Sequence, residues 1–330
     1  MRIGQNPAKE IQKLADYHQH RIIIPVYIPE LSGYFEHSLE ILDLCLQSLH
    51  FTTTEKDSIT LISNGCTSQV TDALFAYQAR GWIDQVIINH HNHGKIDTIL
   101  SAARGSYEDI ITFADCDAFF YPGWFKAVCQ VFNAFPEAGW VSSMPAPDTT
   151  RLNTASTIFM AFFKGVLKKK PVEAENDLNR FGESIGRPEM YRSRLNEHYL
   201  AVERNDNLAI VGGGHFSFSI RRQVLQDIPA TASAKFMAEE EFLGQPFDRA
   251  GYWRLSTPRL YVQHMGNTPE KWMFEDIEQI KTSSLEPIDL PATPGLKPIG
   301  FFPYSLRTFF LKLAKNDHFL RCIPDWKSAR

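Results

Sequence analysis

Asp109-Ile110-Ile111-Thr112-Phe113-Ala114-Asp115-Cys116-Asp117 decides how this chain folds. Its first six residues are largely apolar and β-branched, as in a buried strand. The strand runs straight into two carboxylates one residue apart. Two such acids cannot both be buried without partners, because desolvating each is too costly. A hard divalent cation resolves the conflict: oxygen ligands suit Mg2+ or Mn2+, and such an ion can bridge onward to a diphosphate. A solvated loop with two acids is the plainer alternative, and the position at a strand end weighs against it.

Upstream, the same unit repeats. Residues 22–27 read as a buried, β-branched strand closed by Pro29. Residues 38–49 place Leu39, Leu42, Leu46 and Leu49 on one helical face. Strands follow at 58–63, ended by the Asn64-Gly65 turn signal, and at 85–89. Helices are expected at 71–80 and at 96–104, with Gly105 closing the second. Downstream, 124–135 reads as a helix and 140–143 as a strand. β-α units of this length predict an α/β fold with a mostly parallel central sheet flanked by helices. Ligands of such sheets collect at the carboxyl ends of the strands, which singles out residues 27–30, 63–67, 89–95 and 115–117.

The second half is less regular. An apolar helix over 154–167 ends in Lys168-Lys169-Lys170, and a charged excursion follows over 171–207. A strand-like pattern surrounds three glycines over 208–220. A helix is expected over 238–250, a strand over 259–263 and a Pro/Ser/Thr-rich linker over 281–297. No internal repeat is visible.

The 330 residues suffice for one large α/β domain with appendages. Apolar residues at 44% and charged residues at 22% are ordinary for a soluble globular protein. A net charge of -4 leaves no footprint for nucleic acid. Five cysteines without C-x-x-C spacing argue against a zinc ribbon and a secreted disulfide framework, and point to a reducing cytoplasm. Residues 1–16 carry no signal-peptide pattern, and no uninterrupted run of 18 apolar residues predicts a membrane span.

Four segments together resemble the family 2 glycosyltransferases and their GT-A fold, over about residues 21–267. Ile24-Pro25-Val26-Tyr27 is similar to the opening strand that meets the nucleotide, and Ser63-Asn64-Gly65-Cys66-Thr67 to the second-strand turn. Asp115-Cys116-Asp117 matches the D-x-D motif. The stretch from Glu239 to Gly251 is similar to the late acidic motif, whose glycine follows the first acid by twelve residues.

The resemblance implies a donor site of Pro25, Tyr27, Glu30, Asn64, Lys95, Asp115 and Cys116. It implies metal ligands in Asp115, Asp117 and His264, and a catalytic base in Glu240, with Glu239 and Glu241 as alternatives. Gly213 and Gly214, in a run of three glycines that admits close backbone approach, border the acceptor. Trp253 either stacks on a sugar ring there or belongs to the core. Two departures stand out: Ser63 and Asn64 occupy a turn where the family carries an acid, and Glu240 stands where Asp is usual.

The chemistry agrees with the resemblance. A departing nucleoside diphosphate must be neutralised, which is metal work. The attacking hydroxyl must lose a proton, which is carboxylate work. The expected activity is an inverting transfer, dependent on Mn2+ or Mg2+, from a nucleotide diphosphate sugar to a glycan or lipid-linked acceptor, in bacterial cell-surface polysaccharide synthesis. The domain then spans 1–280, with a nucleotide-sugar half over about 20–145 and an acceptor half over about 146–280, leaving 281–330 as linker and C-terminal helical extension.

Two rival functions make different demands on the sequence. A nucleotidyltransferase would want a Gly-rich basic loop after the first strand, which residues 25–32 lack. A non-catalytic module would bind a sugar nucleotide or glycan without turnover. His90, His91 and His93 do not fall on one side of a regular element, so they make a poor zinc site. Finally, 301–330 holds six Lys/Arg against two Asp/Glu. Within 301–326, Arg307, Lys312, Lys315 and Arg321 interleave with aromatic and aliphatic residues, as in an interfacial helix at the inner face of a membrane. A helix packed on the domain with its cations in water is the alternative.

Overall fold

Successive residues of β1 (His20–Val26) face opposite sides of a sheet, and both sides are covered. Ile22, Ile24 and Val26 enter one hydrophobic core and Ile23 the other, as a central strand with helices on both faces requires. The computed structural model describes residues 3–10, 19–171, 175–190, 198–230, 232–236, 239–285, 288, 290, 302–314 and 323–324.

The first half alternates as its periodicity predicts. β1 is followed by α1 (Ser38–Thr52), β2 (Asp57–Asn64), α2 (Ser68–Ala79), β3 (Gln85–Asn89), α3 (Lys95–Arg104) and β4 (Ile110–Ala114). A short β5 (Ala118–Phe120), α4 (Trp124–Ala134) and β6 (Ala138–Ser142) come next. The order β3-β2-β1-β4 is parallel throughout, the arrangement that helical crossovers produce.

The second half supplies α5 (Ala155–Phe163), β7 (Leu167–Pro171), α6 (Glu175–Ser184), β8 (His198–Arg204), β9 (Asn207–Val211), β10 (Ser217–Arg221) and α7 (Gln245–Ala250). β11 (Trp253–Ser256), β12 (Val262–His264), α8 (Lys271–Ile280) and α9 (Tyr304–Leu313) complete the described elements. β10 inserts antiparallel between β4 and β6, and β11 runs parallel beside β6. β9, β8 and β7 finish the ten-stranded sheet as an antiparallel meander. β12 pairs with β5 in a separate two-stranded ribbon.

Two segments depart from the periodicity reading. The apolar helix stops at Phe163, and Lys168-Lys169-Lys170 lies in β7, the last strand of the sheet. That strand is partly covered, since Lys170 is buried and Lys169 N–H donates to Pro324 O at 2.9 Å. The charged excursion likewise contains α6 and β8.

The C-terminal helix also corrects an expectation. Phe310 on α9 meets Phe159, Phe162 and Phe163 of α5 at ring-centroid distances of 5.3, 5.3 and 5.6 Å. Arg307, expected to face lipid, is buried instead. Its guanidinium donates to Ser156 Oγ (2.5 Å) and to the carbonyls of Asp248 (3.0 Å) and Arg249 (2.9 Å). The cation thus fastens α9 to the domain. Lys315, Arg321 and most of the linker lie outside the described residues. Among those described, no helix is long and apolar enough to cross a membrane.

Candidate active site

The D-x-D turn is built by strand pairing on either side of it. Asp115 N–H donates to Phe216 O at 2.7 Å, and Ala118 N–H to Asp115 O at 3.2 Å. The chain then enters β5, whose antiparallel register with β12 sets Ala118 opposite His264. That register carries His264 to the acidic turn across 147 positions of sequence, and its Nε2 lies 3.3 Å from Asp117 Oδ2. Gly266 N–H donates to His264 Nδ1 at 3.1 Å, which leaves the ring proton on Nε2, facing Asp117.

Asp115 turns the other way, into an ion pair with Lys95 Nζ. Lys95 is the first residue of α3, entered through Gly94 at φ 78°, where a Cβ would collide with the Lys235 carbonyl. The ammonium also donates to His215 O at 3.2 Å. Burial alone would lower the Lys95 pKa, but Asp115, with Glu239 and Asp117 beyond it, reverses that and raises it. Burial pushes the Asp117 carboxyl up, and Asp115 adds to this against the pull of His264 and Lys95. Asp117 Oδ1 is buried without a hydrogen-bond partner.

Those facts test whether a divalent cation fits. A buried, unpartnered carboxylate oxygen beside an imidazole is a suitable half-site. Ligation by His264 Nε2 would require its proton to move to Nδ1, at the expense of the Gly266 bond. Among the described residues, no group of three His, Cys, Asp or Glu side chains is already gathered to hold an ion. Asp115 must leave Lys95 to become a ligand. His90, His91 and His93 are exposed loop residues and belong to no such group.

The late acidic motif opens a turn of π-helix over Glu240–Gly244, just before α7. Glu240 accepts from Arg254 Nη1 (2.9 Å) and Nη2 (3.0 Å), and His215 Nε2 contacts its Oε1. Burial would raise its pKa, but the His215 hydrogen bond and the Arg254 charge bring it to about 2. Glu241 is exposed and pairs with Lys235 at 2.5 Å. Glu239 is half-buried, within electrostatic reach of Lys95.

The remaining predicted residues divide. Tyr27 is exposed at the end of β1, edge-on to Phe35 at 5.9 Å, and Glu30 is exposed and accepts from Ser32 Oγ at 3.0 Å. Pro25 lies where β1 has ceased to pair with β4, so its missing N–H leaves no gap there. Cys116 has its thiol pKa pushed well up by burial and by the flanking Asp117 and Asp115.

Asn64 is buried and occupied. Its Oδ1 accepts from Asn89 Nδ2 (3.3 Å) and His93 N–H (3.1 Å), and its Nδ2 donates to Asn92 Oδ1 (2.9 Å). It shapes the loop before Lys95, and no base-reading contact is left to its carbonyl. Gly213 is a packing glycine, since a Cβ would meet Trp140 Nε1 and Leu255 O at 3.0 and 3.1 Å; at Gly214 a Cβ would make ordinary van der Waals contact with Phe216 and Ser142 Oγ, both at 3.9 Å. Trp253 corrects the sugar-stacking reading. It is fully buried, 6.3 Å from the Phe135 ring, and sits at the start of β11, the sheet end remote from the site. Arg254, His215 and Asn153, all in contact with Glu240, were not singled out by sequence. Only the glycine run beside His215 drew attention to that segment.

The sequence matches the family described as Glycosyl transferase family 2 over residues 22–228. The chain belongs to glycosyl transferase family 2. The match takes in Asp115, Asp117, Lys95 and His215, and it ends before Glu239. No curated protein sequence matches the chain. Among solved structures, S. aureus TarS 1-349 is similar at 13% identity and a TM-score of 0.42, covering 79% of this chain and 64% of that one. The chain therefore spans less than two thirds of that relative. Mannosyltransferase PcManGT from Pyrobaculum calidifontis, solved with GDP-Man and Mn2+, is similar at 13% identity and a TM-score of 0.42, covering 93% and 79%. Glucosyl-3-phosphoglycerate synthase from Mycobacterium tuberculosis matches at 13% identity and 0.42, covering 80% and 77%. No donor, acceptor or metal follows from likenesses this distant.

Proposed function

We propose that this family 2 glycosyltransferase moves a sugar, with inversion, from a nucleotide diphosphate donor to an acceptor hydroxyl. The observation that carries the reading is the unpartnered, buried Asp117 Oδ1 at the end of β4, beside His264 and one residue from Asp115. Asp117, His264 and Asp115 would hold Mn2+ or Mg2+, which when bound neutralises charge on a departing diphosphate. Lys95 supplies a fixed positive charge at the same strand ends. The donor half is assigned to residues 20–145 and the acceptor half to 146–280, with Tyr27 on the exposed rim.

In the step itself, the acceptor oxygen bonds to the anomeric carbon as the bond from that carbon to the diphosphate oxygen breaks. The hydroxyl proton passes to Glu240. A carboxylate with a pKa of about 2 is a weak base, but a hydroxyl already bonding to an anomeric carbon is far more acidic than a free alcohol, so a weak base suffices late in the displacement. The family resemblance implies a glycan or lipid-linked acceptor.

The test is a thermal-shift panel of nucleoside diphosphates and sugar nucleotides, with and without Mn2+, on the parent chain and on Asp117→Asn. A ligand of the folded state raises the melting temperature by mass action, by about 2.7 kcal/mol of stability at a hundred times its Kd. The expected result is a metal-dependent shift with one nucleotide, lost in the variant. A folded parent that responds to none removes the proposal. A parent that binds a donor and never turns it over supports the binding-module alternative.

A further inference from the structure

We propose that Arg254, Asn153 and Gly244 are positioning residues that hold the Glu240 carboxylate for proton transfer; this rests on the glycosyl-transfer reading above. Four independent features converge on that one side chain. The first is Arg254 itself. It is about 1% exposed, and it is fixed from behind before it meets Glu240. Its Nε and Nη2 donate to Gly213 O at 3.1 and 2.6 Å, its Nη1 to Leu152 O at 3.3 Å, and its guanidinium lies 4.5 Å from the Trp140 ring centroid. A planar fork held in this way delivers two parallel hydrogen bonds with a defined direction.

The second feature is Asn153, whose Nδ2 donates to Glu240 Oε2. Its φ of 51° is left-handed, a conformation that few residues other than glycine adopt and that asparagine tolerates best. The third is Gly244. Its φ of -57° is ordinary, so conformation does not call for glycine there. Space does: a Cβ would run into Glu240 Oε2, and would lie 2.9 Å from Asn153 Nδ2 and 3.2 Å from Arg254 Nη1. The fourth is the π turn over Glu240–Gly244, a helical irregularity that recurs at functional sites.

A structural ion pair would need none of this exposure, yet Glu240 keeps 30% of its side chain open while Arg254 is sealed. The carboxylate is gripped from the back and presented at the front. The charged and titratable groups that face it are Arg254 from β11 and the imidazole of His215 from the glycine segment. Lys235 faces Glu241 instead, and Lys95 is turned to Asp115. Burial works against ionisation of Glu240, and His215 and Arg254 outweigh it.

The experiment uses the full chain with Mn2+ and three probe donors: UDP-glucose, UDP-N-acetylglucosamine and GDP-mannose. Two quantities are read, the donor-induced rise in melting temperature and the rate of nucleoside diphosphate release between pH 5 and 9. Gly244→Ala is expected to keep the parent's donor shift and to release nucleoside diphosphate about 100-fold more slowly, the scale of a misplacement near 1 Å. Arg254→Met is expected to keep the donor KM, to lose kcat, and to shift the acid limb of its rate profile upward from the parent's, because His215 alone then opposes the burial of Glu240. A purely structural arginine would not move that limb. If Arg254→Met does not fold, Asn153→Ala replaces it, with an expected fall in kcat at unchanged KM. Folded variants with the parent's rates and pH profile overturn the inference. A parent that neither binds nor cleaves any probe overturns the transfer reading, and shows it before any variant is made.

Discussion

At the amino ends of β1, β2 and β4, the charges of Asp57, Arg21 and Glu108 have partners. His20 sits between Asp57 Oδ1 (2.7 Å) and Thr112 Oγ1 (2.8 Å), stacked on Phe125 at 3.6 Å. Arg21 bridges Glu108 (2.6 Å) and Asp84 (2.9 Å). At the carboxyl ends of the same strands the accounting stays open. Asp117 keeps a buried oxygen without a partner, and Asp115 relies on a lysine recruited from the preceding helix, α3. One sheet thus carries a charged edge that ties strands together and a charged edge held ready for something else. A buried carboxylate oxygen without a partner at a strand end is a place that a ligand can complete.

Exchanging a carboxylate for its amide at each edge separates the two roles. The largest effect is expected for Glu240→Gln. The amide keeps the shape and some of the Arg254 contact, but it cannot accept the acceptor's proton. Nucleoside diphosphate release should fall by about 1,000-fold, with the donor-induced melting shift retained. Steady-state rates and thermal shift on the same preparation check this. A variant that keeps half its rate would place the base elsewhere, with Glu239 next in line.

The open edge was the more legible of the two. Strand periodicity located β1 to β4, and Asp115 and Asp117 followed from lying at the end of β4, since that end is fixed by topology rather than by any contact. His264 was found only through family resemblance, and the β5–β12 register explains why it arrives there. Arg254 and Asn153 were not legible. Their roles depend on which strands become neighbours: β11 reaches Glu240 only because it pairs with β6 beside β10. Trp253 shows the converse error: it lies in a segment that the motif reading favoured, and it is consumed by local packing. Lys168-Lys169-Lys170 looked like the end of a helix because a polar edge strand carries no alternation of apolar residues to betray it.

The closed edge should respond in stability and not in rate. Glu108→Ala leaves Arg21 with its Asp84 and Thr60 contacts but removes the better buried partner. Loss of about 2 kcal/mol is expected, less than for a pair sealed on all sides, with donor turnover per folded molecule unchanged. Urea unfolding measured alongside the rate tests both halves of the statement.

Asp57→Asn is the smallest change and the sharpest test of the contrast. Burial raises the Asp57 pKa, the His20 hydrogen bond outweighs it, and the net shift is downward. A carboxyl whose folded pKa lies below its unfolded value, about 3.9, stabilises the fold above that value and loses the contribution as pH falls through the folded pKa. The amide forfeits this at neutral pH, by about 1–2 kcal/mol for a hydrogen bond to a charged group. The gap between parent and variant should therefore close as the medium is taken below about pH 4. Asp117→Asn, measured beside it in metal-free buffer, has no Oδ1 partner to lose and should melt no lower than the parent. Addition of Mn2+ should then raise the parent's melting temperature and leave that variant where it was. Two aspartates at opposite edges of one sheet, Asp57 opening β2 and Asp117 in the turn after β4, given the same substitution, would respond differently because one holds strands together and the other is kept for a metal.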